Sequence, residues 1–425
     1  MGDESNFQGY EEIIKRNPQL EGIVDPDSWN YVGKSNKTTG EGLGDLWREN
    51  VRRNIKRQLW KRYGSLQNGC LNLGRNKAII GVGAGASFNK NKDVLKTIAD
   101  LDGVKDWKDR NFIIMASNHQ FKPLIKMGII PDFVALVDGS DDILPQLTED
   151  IPPPDKCGTI LLTTLGASPT MLKRWVRQGR ELRFYLPSSV AVQEEFKKIT
   201  GKDPDPHTIV AGGNILNTMF LLGVAAFGSS TFFAVGNDLS YALHDDIEKR
   251  REMFYADGDY ATTQMQKGRD EAKQTYHWMG FSLERPIIYT GPSGYKYSLS
   301  PVGTTYNFWV YKTWMEAWLL ANMGRKDLKY HYYNCSEGGI FGVMCKPEGK
   351  NRHEERDWYL LDDVCKQYHT MMLEDAANQF VIAKEAMKWP TGVTTLDVPS
   401  AIDLARQPTV DTAKSMLRQG KIIGI

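Results

Sequence analysis

The chain has 425 residues and a formal net charge of +1, with 41% apolar and 25% charged residues. This length allows two or three domains, or one large α/β domain with extensions, and the composition is typical of a globular enzyme. A net charge near zero provides no overall attraction to nucleic acid or to anionic membranes. The sequence has no run of about eighteen apolar residues, so it predicts no membrane span.

The five cysteines are odd in number and scattered, and no two of them form a CxxC pair. Neither a disulfide framework nor a zinc site is therefore expected. The first residues, MGDESNFQGYEE, are polar and acidic and do not resemble a signal peptide. Reduced cysteines and a cytoplasmic location are the simplest interpretation.

The N-terminal region is predicted to be mostly irregular. Residues 1–45 are polar and indicate loops with one short helix at Tyr10–Arg16, whereas Leu46–Tyr63 has an apolar stripe at helical spacing and many basic residues. Two interpretations of this basic helix 46–63 stay open. It is either a core-packed helix with a solvated basic face, or a contact surface for an anionic partner such as nucleic acid.

Strands and helices alternate in the region that follows. Short apolar runs predict strands at 78–82, 111–116, 133–137, 159–164, 182–186 and 231–235. Helical patterns lie between them at 91–101, 119–127, 168–178, 190–199 and 214–226. Continuous apolar strands between helices favour a Rossmann-like α/β fold, whose mostly parallel sheet carries helices on both faces.

The rest of the chain is predicted to extend this domain. Residues 239–285 are polar and predict a helical insertion or lid, with helices near Asp246–Tyr255 and Thr262–Phe281. Further elements are a strand at 287–289, a helix at 305–323, a strand at 330–334 and helices at 358–389 and 401–419. The predicted organisation is an N-terminal extension (1–77), a nucleotide-binding catalytic domain (78–345) and a helical C-terminal region (346–425).

The turn in AIIGVGAGASF, residues 78–88, is the most informative stretch. Gly83, Gly85 and Ser87 follow an apolar strand and precede a helix, an arrangement that directs backbone N–H groups at one spot and favours an anion such as phosphate. The turn does not match the Walker pattern, and the third glycine of the dinucleotide fingerprint is absent. A tight strand–helix turn without a ligand remains the alternative.

Polar groups stand where five predicted strands or turns end. They are Asn118, Asp138, the group Gly212, Gly213 and Asn214, the pair Asn237 and Asp238, and the group Glu337, Gly338 and Gly339. Carboxyl ends of parallel strands meet at one edge of a sheet, where ligands bind. Carboxylates there can bind a metal ion or a hydroxyl or move a proton, whereas the alternative for each aspartate is an ordinary turn or cap.

The order of these blocks resembles a known superfamily. GVGAGASFNKN, ASNHQFKPLIKMGIIPDFVALVD, AGGNILNTMFLLGVAAFGSSTFFAVGNDLSY and NCSEGGIFG are similar to segments of the motility accessory factors, bacterial enzymes that attach nonulosonic sugars to flagellin. The same superfamily contains archaeal 6-hydroxymethyl-dihydropterin pyrophosphokinases. The first three blocks also look distantly like bacterial sialyltransferases that use CMP-sugars. The resemblance covers about residues 78–345.

The resemblance implies a nucleotide site. It assigns nucleotide contacts to Gly83, Gly85, Ser87, Asn118, Gly212, Gly213, Asn214, Gly338 and Gly339. The chain departs from many relatives at Ala86, where they have proline, and at His119 and Gln120, where they have small or apolar residues. These departures concern the identity of the nucleotide.

The preferred function is a glycosyltransferase that moves a sugar from a CMP- or UDP-type nucleotide-sugar to a hydroxyl of a protein, a glycan or a modified nucleic acid. Candidate catalytic residues are the carboxylates Asp138, Asp238 and Glu337 and the imidazoles His119 and His244. The His244-Asp245-Asp246 segment is either a divalent-ion ligand set or an acidic helix N-terminus. One alternative is a Mg²⁺-dependent ATP pyrophosphokinase acting on a pterin alcohol. Another is a non-catalytic nucleotide-binding module.

Overall fold

The computed structural model describes residues 9–67, 69–209, 213–242, 278–283, 299–304, 306–325, 328–345 and 358–388. The strands in these ranges are β1 (Ala78–Val82), β2 (Phe112–Ser117), β3 (Phe133–Ala135), β4 (Ile160–Thr164), β5 (Leu182–Pro187), β6 (Thr208–Ile209), β7 (Thr231–Val235), β8 (Tyr241–Ala242), β9 (Trp278–Leu283), β10 (Leu299–Thr304), β11 (His331–Asn334), β12 (Val343–Cys345), β13 (Trp358–Leu360) and β14 (Tyr368–Thr370).

The α-helices in the same ranges are α1 (Tyr10–Arg16), α2 (Pro26–Lys56), α3 (Leu59–Tyr63), α4 (Phe88–Asp102), α5 (Asn118–Lys126), α6 (Leu144–Thr148), α7 (Pro169–Arg177), α8 (Val190–Thr200), α9 (Ile215–Leu221), α10 (Tyr306–Ala321) and α11 (Leu373–Lys388). A π-helical turn, Leu222–Ala226, continues α9. Short 3₁₀ helices lie at Pro18–Leu20, Trp107–Asp109, Asp141–Ile143, Asp205–His207 and Leu361–Asp363. None of the described helices has the length and apolar character that crossing a membrane requires.

Nine strands form one sheet in the order β14-β11-β7-β1-β2-β3-β4-β5-β6. Every neighbouring pair in it is parallel. From β1 the chain builds one half of the sheet outward to β6 and then returns to place β7 on the other side of β1. The strand order therefore reverses between β1 and β7, the position where ligands bind in open α/β sheets.

Helices cover both faces of this sheet. Ile79 of β1 lies in an apolar cluster with residues of α9 and α10, whereas the next residue, Ile80, lies in a second cluster with residues of α4 and α11. Successive residues of a strand face opposite sides, so a strand with two covered faces is apolar throughout. The Rossmann-like α/β fold predicted from the apolar runs is confirmed. β1 and β7 have the predicted bounds, and the other predicted strands before residue 236 lie within two residues of theirs.

The N-terminal prediction is partly wrong. Residues 26–56 form one helix of 31 residues, so α2 begins about twenty residues before the predicted basic helix and includes the Gly-rich stretch. Its N-terminus is well formed, because the Asp25 carboxylate accepts a hydrogen bond from the Ser28 N–H at 3.0 Å and Pro26 is the first helical residue. The predicted helix to Tyr63 is divided at Gln58, whose φ of 59° ends α2 before α3.

The region after β7 also departs from the prediction. β8, β10 and β9 form an antiparallel sheet, and residues 278–281 lie in β9 rather than at the end of a helix. The rest of the predicted helical insertion and the predicted strand at 287–289 lie outside the described residues.

The C-terminal region is not purely helical. Residues 358–360 and 368–370 are strands, and only α11 matches the predicted helices. β14 joins the main sheet beside β11, with Tyr368 stacked on Tyr332 at a ring distance of 5.8 Å. The predicted helix at 401–419 lies outside the described residues.

Candidate functional site

The loops that follow β1 and β7 meet at the point where the strand order reverses. The Gly83 N–H donates to the Val235 carbonyl at 2.8 Å, and the Gly85 N–H donates to the Gly236 carbonyl at 3.0 Å. A Cβ atom on Gly83 would lie 2.5 Å from the Gly236 oxygen, closer than any real contact. The glycines of the turn are therefore required for the approach of these two loops.

Asp238 and Ser87 join the two loops through their side chains. The Asp238 carboxylate accepts the Ser87 backbone N–H at 2.8 Å and also the Ser87 hydroxyl. Burial raises the pKa of Asp238, and the hydrogen bonds from Ser87 and the charge of Lys90 oppose that rise. Because both carboxylate oxygens accept hydrogen bonds from Ser87, Asp238 is placed to hold the turn.

Most N–H groups of the turn are used inside the protein, which corrects the expectation of a free N–H cradle. Besides the bonds above, the N–H groups of Phe88, Asn89 and Lys90 donate to the carbonyls of Gly85, Ala86 and Ser87. The first turn of α4 contains no acidic residue but does contain Lys90, a charge opposed to the helix dipole. Positive charge at this point comes from the helix end and from the Lys90 ammonium.

The segment after β11 forms the third side of the site. Gly339, with a φ of 87°, lies against β7's loop, and a Cβ atom on it would be 2.3 Å from the Asp238 Cα. The Ile340 N–H donates to the Asp238 carbonyl at 2.8 Å. Glu337 is buried and adopts a φ of 55°, and its carbonyl accepts a hydrogen bond from the Lys90 ammonium at 2.6 Å. The E-G-G turn, residues 337–339, therefore closes on both α4 and β7.

Two asparagines add hydrogen bonds between the segments of this site. The Asn91 amide donates to the Cys335 carbonyl at 3.0 Å, and the Asn237 backbone N–H donates to the Ser336 hydroxyl at 2.8 Å. The Asn237 amide also donates to the Tyr332 hydroxyl at 3.1 Å. Lys90, Asn91 and Ser336 are not among the residues predicted from the sequence, although a lysine in the first turn of a helix is a visible signal for the first of them.

Other predicted residues lie away from this junction. The Asn118 amide donates to the Gln146 side chain at 2.7 Å, and Asp138 is exposed beyond β3, which β2 separates from β1. Burial lowers the pKa of His119 to about 4, so its ring is neutral at pH 7. Asn214 caps α9 by accepting the Asn217 N–H at 2.7 Å, and the neighbouring Gly213 faces the Tyr311 ring.

Gly212 and His244 lie outside the described residues, and Gly338 is described within the E-G-G turn. Across the described ranges, no group of three or more His, Cys, Asp or Glu side chains fits a metal ion.

The neighbouring part of the carboxyl edge is covered by α2. The Asn50 amide donates to the carbonyls of Gly139 and Gly166, at 3.0 and 2.9 Å. The Asn54 amide donates to those of Leu165 and Ala167, at 2.8 and 3.0 Å. These carbonyls follow β3 and β4, so the helix seals the edge of that half of the sheet.

Part of the basic face of α2 is engaged within the protein. Arg52 pairs with Glu195 of α8 at 2.8 Å, and the Arg57 guanidinium donates to the Pro169 carbonyl at 2.6 Å. Arg53 pairs with Glu49 on the same helix at 2.8 Å. Nucleic-acid binding by this helix stays an untested prediction.

The comparisons with known proteins agree with the motifs. Residues 49–243 match the family model described as 6-hydroxymethylpterin diphosphokinase MptE-like. A MAf glycosyltransferase from Magnetospirillum magneticum AMB-1 is similar in structure, with a TM-score of 0.40 and 14% identity over 63% of this chain and 32% of that one. The chain thus spans about a third of that protein's length, and no curated protein matches its sequence. The resemblance predicted from the motifs is confirmed over residues 49–243, where the chain is similar to the MptE-like family.

Proposed function

We propose that the protein is a transferase whose activated substrate is a nucleotide bound between the loops after β1 and β7, and that the transferred group is a sugar. The observation that carries the proposal is the junction of Gly83–Ser87, Asp238 and the E-G-G turn at the point where the strand order reverses. Three loops converge there with backbones that tolerate no Cβ atom. Open α/β sheets bind their ligands at this point, and the adjoining N-terminus of α4 favours a phosphate.

The positive charge of this junction suits a leaving phosphate. The N-terminus of α4 and the Lys90 ammonium lie together beside the E-G-G turn. A nucleotide that departs from a sugar carries negative charge on its phosphate, and fixed positive charge stabilises that charge as it develops. Most N–H groups of the turn already donate hydrogen bonds within the protein. In this proposal the Lys90 ammonium therefore supplies the unit positive charge that faces the phosphate.

In the proposed reaction the acceptor oxygen forms a bond to the anomeric carbon as the bond from that carbon to the nucleotide's phosphate oxygen breaks. The hydroxyl proton passes to a base. Asp238 is poorly suited because both oxygens accept from Ser87, and His119 is a weak base because its pKa is about 4. Glu337 is the carboxylate we assign to this step, since it lies beside Lys90 in the E-G-G turn.

A diphosphokinase is the second candidate, and the description of the matching family favours it. There the alcohol oxygen would attack the β-phosphorus of ATP, AMP would leave, and the same base would take the proton. Both reactions use a nucleotide in the same crevice. The two reactions are distinguished by the nucleotide that is released, which is AMP for the diphosphokinase and CMP, UDP or GDP for the glycosyltransferase.

The first experiment is a thermal-shift panel of CMP, UDP, GDP, ADP and ATP, each with and without Mg²⁺. A bound nucleotide raises the melting temperature with concentration, as mass action requires. The best nucleotide is then offered as its sugar conjugate, or as ATP with 6-hydroxymethylpterin, and the released nucleotide is identified by chromatography. CMP, UDP or GDP release supports the glycosyltransferase, and AMP release supports the diphosphokinase.

Two results would contradict the proposal. The absence of any shift would remove the nucleotide site itself. A specific shift without turnover of either donor class would favour a non-catalytic nucleotide-binding module. The matched control is Glu337→Gln, which should retain nucleotide binding and lose turnover.

A further inference from the structure

A buried ion pair lies behind the E-G-G turn, outside the residues assigned so far. The Lys312 ammonium and the Glu316 carboxylate, one turn apart on α10, are 2.6 Å apart, and each side chain is 4% exposed. Burial raises the pKa of Glu316, and the charge and hydrogen bond of Lys312 oppose the rise. Removing two charges from water is costly, and the attraction between them often does no more than offset that cost. The pair therefore needs an explanation other than stability.

The second oxygen of Glu316 indicates what this other role is. It accepts the Gly342 N–H at 2.9 Å, across a sequence distance of 26 residues. Gly342 adopts a φ of 84°, and a Cβ atom on it would overlap the Tyr368 hydroxyl, so this backbone position is closely confined. Glu316 thus fixes the far end of the segment that begins with the E-G-G turn.

Other hydrogen bonds also hold this segment, and two of them come from further elements of the fold. The Ile340 N–H donates to the Asp238 carbonyl at 2.8 Å, and the Phe341 carbonyl accepts the Asn334 amide at 3.0 Å. Three consecutive residues, 340–342, are therefore each tied to a different element. Of these three contacts, only the one to Glu316 involves a side chain that also forms an ion pair, with Lys312.

We infer that Glu316 is a positioning residue: through Gly342 it holds the E-G-G turn against α4 and β7, while Lys312 pairs with its carboxylate in the protein interior. The inference rests on the proposed function, because it places the nucleotide beside that turn. Nucleotide affinity should depend on the acceptor that Glu316 offers to Gly342, rather than on the charge of the pair.

Two double variants separate these contributions. In Lys312→Met/Glu316→Met the ion pair becomes two apolar side chains of similar volume, a replacement that often preserves stability. In Lys312→Met/Glu316→Gln the pair is also uncharged, but the Gln oxygen can still accept the Gly342 N–H. The Kd of the nucleotide that most stabilises the wild type is then measured by titration calorimetry on all three folded proteins.

We expect the Met/Met variant to bind about tenfold more weakly than wild type, the equivalent of losing one well-placed hydrogen bond. The Met/Gln variant should bind within about twofold of wild type. Equal affinity of the two variants would overturn the inference while leaving the proposed function intact. A wild type that binds no nucleotide would instead remove the proposed function, and the inference with it. If Met/Met does not fold, Glu316→Gln against Glu316→Ala gives the same comparison.

Discussion

The carboxyl edge of the sheet is closed differently in its two halves. Beyond β3 and β4, the carboxyl edge is closed by α2, whose Asn50 and Asn54 amides bind four backbone carbonyls. Beyond β1, β7 and β11, the loops bind one another, and glycines at 83, 85 and 339 bring their backbones together. In the first half, side chains of a helix cover the edge. The second leaves main chain and the Lys90 ammonium at the surface where the strand order reverses.

Which part of a parallel sheet's carboxyl edge is left open to a ligand therefore depends on what the rest of the chain covers. Asp138 and Asp238 look equivalent in the sequence, because each closes an apolar strand. In the structure they lie in different halves. Asp138 stands beyond β3, near the edge that α2 covers, and Asp238 stands at the three-loop junction.

The largest expected effect is at the three-loop junction. In Gly85→Ala the new Cβ atom would lie 2.6 Å from the buried Asp238 carboxylate and 2.7 Å from the Gly236 carbonyl. We expect a loss of about 3 kcal/mol of unfolding free energy, together with loss of nucleotide binding, since the loops must separate. Urea unfolding and titration calorimetry measure the two effects.

The control for this prediction is Gly158→Ala, before β4, where the Cβ atom would meet its nearest neighbour at 3.8 Å, an ordinary contact. It should leave both quantities unchanged. A harmless Gly85→Ala would show that the two loops are less closely joined than the distances indicate.

A smaller loss is expected in the covered half. Asn54→Ala removes the amide that satisfies the Leu165 and Ala167 carbonyls, and Asn54 is fully buried. Leaving these carbonyls without a donor should cost about 2 kcal/mol of unfolding free energy. Nucleotide affinity should stay the same, because this helix covers the other half of the edge. A loss of nucleotide affinity in Asn54→Ala would show that the half covered by α2 also contributes to the nucleotide site.

Asp238→Asn tests the electrostatics of the junction. The variant keeps one acceptor for Ser87 but presents an NH₂ group where the second acceptor was, so we expect a loss of about 1.5 kcal/mol. The pKa of Asp238 is raised in the folded state, so its contribution to stability is present at low pH and falls as the pH rises through that pKa.

The stability difference between wild type and Asp238→Asn should therefore shrink as the pH rises from below the ordinary Asp pKa. Urea unfolding of both proteins across a pH series measures it. A difference that grows with pH would mean that the hydrogen bonds from Ser87 outweigh burial and lower the pKa.

The smallest effect is expected at the start of α2. The Ser28 hydroxyl donates to Asp25 at 2.7 Å and accepts the Trp309 indole N–H of α10 at 2.9 Å. Ser28→Ala should cost about 1 kcal/mol of unfolding free energy, without a change in nucleotide affinity. Thermal unfolding with and without nucleotide would reveal any unexpected coupling from this contact to the site.

The sequence predicts the sheet well because its strands are buried on both faces. A continuous apolar run such as Ala78–Val82 is a local signal, and the observed strand has the predicted bounds. β14 carries no such signal, because its place is fixed by long-range stacking of Tyr368 on Tyr332. The predicted helix at 46–63 overlaps α2, but the first twenty residues of α2 are not predicted, because their glycines indicate loops. Gly44 reads as a helix breaker, yet it lies buried inside α2 and close to Ala191 of α8, where tertiary packing outweighs its low helix propensity.

The candidate site was predictable in its parts but not in its contacts. Glycines after β1 and the acidic residue after β7 are visible in the sequence. That Gly85 faces Asp238, or that Lys90 reaches Glu337, depends on segments about 150 to 250 residues apart. Assigning Asp238 to proton transfer was reasonable from its place at a strand end. Only its pairing with Ser87 indicates a holding function.

The position of β1 has a consequence for synthesis of the chain. Thr231–Val235 pairs with β1 but follows it by about 150 residues, so at roughly 5 to 20 residues per second the ribosome needs about 8 to 30 seconds to supply it. During that time β1, which is entirely apolar, has its neighbour β2 on one side but no strand on the other. Such an unpaired edge is a template for association with other chains. The nascent protein should therefore depend on chaperones most strongly between the emergence of β2 and that of β7.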